Sequence, residues 1–321
     1  MENCKNGFGI SPLMQELMVY AGSQDCYIRC NEILEHFLSI EVSPSQVYRV
    51  TDCISKQLEE KEKEQSVKRI LSPIEKTEVL YVEVDGSMIS TREEGWKEVK
   101  LGRLFKSNDC LNPNSKSSYI KTSQYVGYLG NSEEFCSEME SVIDSYGRLR
   151  ERLVFINDGA VWIKNWIEDN YPHAVSILDY FHACEHLHQF ADTLFGECLQ
   201  EKEQWCKIQK DLLLESKTQE VIENIMVTSG KEKDKTKLIN YYQNNIGRMD
   251  YKKYRQMGCG IIGSGAIESA HRTVIQKRMK LSGQHWSKHG ARSMLQLRIT
   301  DMNNQWHKVI DIIKKSPKSA A

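Results

Sequence analysis

Two aspartates invite the first chemical reading. Asp85 in "YVEVDG" and Asp158 in "VFINDG" each follow an apolar run and precede a glycine. Such runs predict strands, and ligands gather at the carboxyl ends of neighbouring parallel strands, where a glycine lets backbone or substrate come close. Two carboxylates side by side repel unless a cation lies between them, and a site of few protein oxygens suits Mg²⁺ or Mn²⁺. Asp-Gly is also the commonest turn dipeptide, so each has a plain structural explanation as well. A third acid, Glu268 in "GIIGSGAIESAHRTVIQKRMK", falls in the first turn of a predicted helix entered through Gly263-Ser264-Gly265. There it would also suit the positive helix end, or pair with Arg272 four residues on.

A second cluster competes with these acids. "DYFHACEHLHQF" contains His182-x-x-Glu185-His186, the order of an inverted zinc-protease motif, in which residues four apart share a helix face and both imidazoles could reach one Zn²⁺. No third ligand stands in a distinctive setting, so no structural zinc is expected. The same stretch also completes Asp179-x-x-His182. On that reading His186 and His188 are polar positions flanking the stripe Cys184, Leu187, Ala191, Leu194.

The elements that must position these residues fall into four parts. Residues 1–72 read as helical, with Ser43 an N-cap and Pro44 at the first helical position. Two helices joined there would make either a helix-turn-helix exposing Gln46, Tyr48, Arg49 and Lys56 or a hairpin that only packs. Residues 73–183 change grammar, after a boundary near Ser72: a strand ending at Asp85-Gly86, strand-like runs in "WKEVKLGRLF" and "SSYIKTSQYVGYLG", a helix capped by Ser132, then alternating strands and helices. That order predicts an α/β fold with a mixed sheet covered by helices on both faces. Residues 184–258 are charged and helical, an insertion without strands. Residues 259–321 carry Glu268 and a basic helix.

The 321 residues can bury a core without disulfides or a structural metal, and the 10 cysteines include no C-x-x-C pair, which suggests reduced thiols in a cytoplasm. The first residues lack the order of a secretion signal, and no apolar run approaches the roughly 20 residues that cross a bilayer, so no membrane is expected. The net charge of -1 is unevenly spread: between Arg248 and Arg298 stand 11 Lys and Arg against Asp250 and Glu268. That segment suits either a polyanion or a solvated face.

Taken together, "VEVDGSM", "EEGWKEVKLGRLF", "FINDGAVWIKNWIEDNYPHAVSILDYFHACEHL" and "GIIGSGAIESAHRTVIQKRMKLSGQHWSKHGARSMLQLR" resemble the DDE transposases of ISKra-type bacterial insertion sequences, distant relatives of the Mutator-like group. The resemblance runs from about Val79 to Trp306 and implies a ribonuclease-H-like core. Asp85, Asp158 and Glu268 match the catalytic, metal-holding acids of that family, with 109 residues between the last two. It further implies two Mg²⁺ (or Mn²⁺) ions, cleavage at the element's ends, strand transfer into target DNA, and at least a dimer, since two ends are joined. Asp179 and His182 resemble its D-x-x-H element, an accessory pair at the site's margin. Arg272, Lys277, Arg278, Lys280, Lys288 and Arg292 would meet backbone phosphates, and Trp286 would either stack on an unpaired base or lie in the core. The N-terminus is short beside the family pattern, which fits a missing DNA-binding module or a truncated element. Three other readings stay open: a nuclease or resolvase with the same acids, a DNA-binding derivative without catalysis, and the zinc protease.

Overall fold

A computed structural model describes residues 8–64, 74–113 and 118–315. The boundary expected near Ser72 lies outside the described residues. Three helices come first: α1 (Pro12–Gln24), α2 (Tyr27–Leu38) and α3 (Pro44–Glu64). Ser11 and Ser43 each accept a backbone N–H from the first turn of α1 and α3, and a proline follows each cap.

The strands follow. β1 (Leu80–Thr91) and β2 (Gly95–Lys106) form a long hairpin, β3 (Cys110–Leu111) and β4 (Tyr119–Ile120) a small separate ladder, and β5 (Gln124–Leu129) lines the hairpin's outer edge. Next come α4 (Ser132–Asp144), β6 (Leu153–Asn157), α5 (Val161–Asn170) and β7 (Val175–Leu178). The sheet order is β5-β2-β1-β6-β7, antiparallel on the β2 side and parallel from β1 through β7. This is the expected α/β mixed sheet. The cap of α4 is Asn131, one residue before the serine expected, and its side chain accepts the Glu134 N–H.

Side chains alternate across a strand, so β1 serves two cores at once. Leu80, Val82 and Val84 pack with Phe135, Met139, Ile163 and Trp166 beneath α4 and α5. Val79 and Tyr81 face the other way, toward α6 (Tyr180–Phe195) and the insertion helices α7 (Leu199–Leu214), α8 (Thr218–Met226), α9 (Glu232–Asn245) and the short α10 (Tyr251–Tyr254). Residues 184–258 hold helices and no strand, packed on the sheet through Leu213, Val221, Ile222 and Tyr242.

The chain returns through α11 (Gly265–Ala270), a π-helical stretch over His271–Gln276 and α12 (Lys277–Met279), then α13 (Lys288–Met302) and α14 (His307–Lys315). These helices share one apolar cluster with α1–α3: Met18, Val47, Ile54 and Leu58 meet Met294, Leu297, Val309 and Ile313. The N-terminal helices are thus built into the core. Tyr48 and Arg49 are exposed on α3, Gln46 is half-buried, and Lys56 pairs with Asp52 at 2.6 Å.

Arg298 on α13 binds this region together. It is 2 % exposed, and its guanidinium donates to Ser23 O (3.2 Å), Gln24 Oε1 (2.9 Å), Val274 O (3.4 Å) and Thr273 O. Arg298→Ala should lower the unfolding free energy by about 3–5 kcal/mol, read from urea titration, because it strands several buried carbonyls. A loss under about 1 kcal/mol would mean that these carbonyls find other donors.

Candidate functional site

The parallel pairing of β1 with β6 runs from Leu80↔Leu153 to Glu83↔Ile156. Carried two residues past its last pair, that register leads to Asp85 on β1 and to Asp158, just beyond the end of β6, and the two are close enough for the Asp158 charge to act on Asp85. One expectation needs correcting here. β1 does not end at Asp85-Gly86 but continues to Thr91, with Asp85 opposite Leu101 of β2. Asp-Gly is no turn in β1; Asp85 sits where the parallel partner stops and the antiparallel one goes on. A Cβ at Gly86 would lie 2.2 Å from Glu98 Oε1, so a side chain there would displace the end of Glu98.

Asp85 is partly open, with its side chain 42 % exposed; Oδ1 accepts the Gly86 N–H, and Oδ2 lies 3.3 Å from His271 Nε2. Burial raises its pKa, and the charges of Asp158 and Glu98 raise it further. Asp158 is exposed, and Oδ1 accepts the Ala160 N–H at 3.0 Å. His271, on the π-helical stretch, is pushed down to about 4 by burial and so stays neutral at pH 7 beside Asp85.

Glu268 is exposed on α11, and α11 is fastened to the sheet by a residue that sequence reading missed. Glu83 lies two residues before Asp85 on the same face of β1, with 0 % exposure. Its Oε2 accepts the Ile267 N–H at 2.6 Å, a donor in the first turn of α11 that it shares with Ser264 O at 3.1 Å. Arg103, its cross-strand partner on β2, donates from Nη1 to Ala266 O at 2.7 Å. Burial drives the Glu83 carboxyl up to about 8, against the opposing pull of the Ile267 N–H and Arg103. The signal was legible in principle: in "YVEVDG" the alternation that faces Val82 and Val84 inward sets Glu83 with Asp85.

Asp179 is buried at 3 % exposure and caps α6, accepting the Phe181 N–H at 2.8 Å on Oδ1 and the Ser264 hydroxyl on Oδ2. The Tyr180 N–H donates to Ile262 O at 3.0 Å. Asp179 therefore orients the Gly263-Ser264 approach to α11 from within the fold. Gly263 is required there, since a Cβ would meet the Phe181 ring at 2.3 Å. His182 is half-buried; its Nδ1 lies 3.2 Å from Glu185 Oε2, its ring meets that of His186 edge-on at 4.8 Å, and His186 packs on Tyr241 at 4.3 Å. It is near enough to Asp85 to be a minor influence that lowers the pKa of that carboxyl.

The expected phosphate contacts divide. Arg272, Lys277 and Lys280 are exposed, the last donating to Ser87 Oγ at 3.2 Å. Arg278 and Trp286 are corrections: at 1 % and 9 % exposure neither lies on an outer face, because they stack on each other at 5.0 Å and the Trp286 indole N–H is spent on Met279 O. Lys288 is neutralised by Glu94 at 2.7 Å, and Arg292 donates to Leu129 O.

The donor chemistry at this edge, two repelling carboxylates with Glu268 on a helix held to the same sheet by Glu83 and Arg103, is of the oxygen type that suits a hard divalent cation. Among the described residues no group of three His, Cys, Asp or Glu side chains is gathered to hold a metal ion, either around the three acids or around His182, Glu185 and His186. Nor is any helix there long and apolar enough to cross a membrane.

The model of UPF0236, described as an uncharacterised protein family, matches residues 11–316. The chain belongs to that family. A protein of Streptococcus gallolyticus described as "UPF0236 protein in vanSb 3'region" is 25% identical over 242 residues, covering 72% of this chain and 51% of that protein. The chain thus matches about half the length of this relative.

Glu83 gives this UPF0236 chain a measurable pH signature. The folded state holds the Glu83 proton more tightly than the unfolded chain, whose value is near 4.5, so the contribution is complete below that pH and is lost as pH rises toward about 8. Glu83→Gln should remove up to about 1.4 kcal/mol per pH unit from the decline in stability across this window. Parallel curves for the two proteins in urea titrations at several pH values would show that Glu83 titrates normally.

Proposed function

We propose that this chain is a metal-dependent DNA transposase of the ISKra type, cutting phosphodiesters at the ends of an insertion sequence and joining the freed ends to target DNA. The observation that carries the reading is the register of β1 against β6, which sets Asp85 beside Asp158, with the helix of Glu268 fastened to the same sheet face by Glu83 and Arg103. The motif resemblance supplies the reaction class.

Asp85, Asp158 and Glu268 would hold two Mg²⁺ or Mn²⁺ ions, which in such sites activate the attacking oxygen and stabilise the leaving one. The chain's own residues do the rest. Neutral His271 adds no charge beside Asp85, so the carboxylate keeps its full charge for the cation. Asp179 holds the Gly263-Ser264 turn and so fixes where α11 begins, while His182 places a titratable ring near Asp85. Exposed Arg272, Lys277 and Lys280 continue along the same helical path and would neutralise backbone phosphates, making binding fall steeply with salt. The partners on this reading are the element's two ends and target DNA, held by a dimer or larger assembly on the nucleoid in the cytoplasm.

Purified protein with Mg²⁺ and labelled DNA carrying the element's terminal repeats should cleave at the ends and then join them. Asp85→Asn, Asp158→Asn and Glu268→Gln should each reduce cleavage by on the order of 100-fold or more, the loss of several kcal/mol of charge stabilisation. His182→Ala should slow the reaction more than His186→Ala. Cleavage without joining would make the chain a nuclease. A zinc-dependent proteolysis that survives the three acid changes but dies with Glu185→Gln would overturn the reading.

A further inference from the structure

Arg278 leaves the acid-bearing edge and enters a different setting. Its side chain is 1 % exposed and lies between two aromatic rings, Tyr27 at 4.9 Å and Trp286 at 5.0 Å. One edge of the guanidinium is used, Nε donating to Gly22 O at 2.7 Å. The other edge, Nη1 and Nη2, is buried and has no hydrogen-bond partner among the described residues. A buried cation with half of its donors unused is expensive, and stacking on two rings offsets only part of the cost. Held flat between rings, the guanidinium has just this fork left to offer, a geometry that matches a phosphate in bidentate fashion.

Arg278 lines a pocket of about 520 Å³ between α2, α3 and the turn before α13. Within it stands a second guanidinium, Arg92, exposed and steadied by His285 O at 3.2 Å. The acid of the pocket, Asp52, is already engaged by Lys56 at 2.6 Å and leaves Arg278 uncompensated. Tyr48 contributes a ring that is 49 % exposed and packs edge-on against Tyr27 at 5.4 Å. The volume exceeds what a phosphate alone needs and falls within the usual range of small-molecule sites.

We propose that this pocket seats one nucleotide, its phosphate on the Arg278 fork and Arg92, its base against Tyr48. The site is separate from Asp85, Asp158 and Glu268 and requires none of them. It also gives Arg278 and Trp286 a role that burial denies them on the outer surface: only a ligand entering the pocket reaches the fork. The nucleotide comes either free or as part of a single strand, and the two sources share this chemistry.

The test is calorimetric titration in EDTA, which leaves metal-dependent chemistry aside, with inorganic phosphate, adenosine 5'-monophosphate and a single-stranded thymidine oligonucleotide as probes. The monophosphate should bind at least tenfold more tightly than inorganic phosphate, and Arg92→Ala and Tyr48→Ser should each weaken it about tenfold. Both side chains are exposed, so these variants test the site even if Arg278→Lys, which keeps the charge but loses the fork, fails to fold. An oligonucleotide that displaces the monophosphate identifies a strand as the source, and one that does not identifies the free nucleotide. Equal affinity for phosphate and monophosphate, no binding of either nucleotide probe, or binding unchanged in both variants would overturn the proposal. Because no cleavage is measured, failure here leaves the transposase reading standing, and the reverse holds too.

Discussion

The arrangement depends on one pair of backbone anchors made by two buried polar side chains. Glu83 accepts the Ile267 N–H and Arg103 donates to Ala266 O, so adjacent strands of the hairpin grip both sides of one turn of α11. A six-residue helix has little stability of its own, and its position must come from tertiary contacts. These anchors supply it, and from there follow the placement of Glu268, the π-helical stretch that brings His271 to Asp85, and the entry of Arg278 into the pocket between the first helices. The cost is a fully buried carboxyl whose proton is hard to remove. Polar grips of this kind specify geometry more than they add stability.

Much of the fold was legible because its signals are local. Apolar runs marked β1, β6 and β7, serine followed by proline marked the start of α3, and the loss of strand-like runs after Cys184 marked the insertion. Two matching apolar runs, each followed by Asp-Gly, pointed to Asp85 and Asp158 together, although only the run before Asp158 ends a strand there. Other features depended on contacts far apart in sequence. Glu83 reads as one polar position in a strand until α11, 184 residues away, is laid upon it. Arg278 and Trp286 look like basic and aromatic surface residues until the helices near residue 27 are known to cover them. Asp179 was read as an accessory residue at the site's margin, and the partners of its oxygens, Phe181 and Ser264, could not be read from the sequence.

The N-terminal helices show the same limit from another side. Their capping was readable, but what they pack against was not: α3 shares its apolar face with α13 and α14, near the other end of the chain. Basic residues of the C-terminal segment are drawn into that seam, so its charge count overstates what faces solvent. Arg298 serves carbonyls, Arg278 faces a pocket, and Lys288 answers Glu94. Arg272, Lys277 and Lys280 are exposed along the helical path that begins at Glu268.

The central claim is that Asp85, Asp158 and Glu268 serve a single cation site. Fe²⁺ bound in place of Mg²⁺, with ascorbate and peroxide, generates hydroxyl radicals that cut the polypeptide beside the metal. Cuts should cluster near residues 85, 158 and 268, be suppressed by excess Mg²⁺ and be lost together in Asp85→Asn. Cuts confined to the neighbourhood of His182, Glu185 and His186, or a pattern indifferent to Mg²⁺, would contradict it.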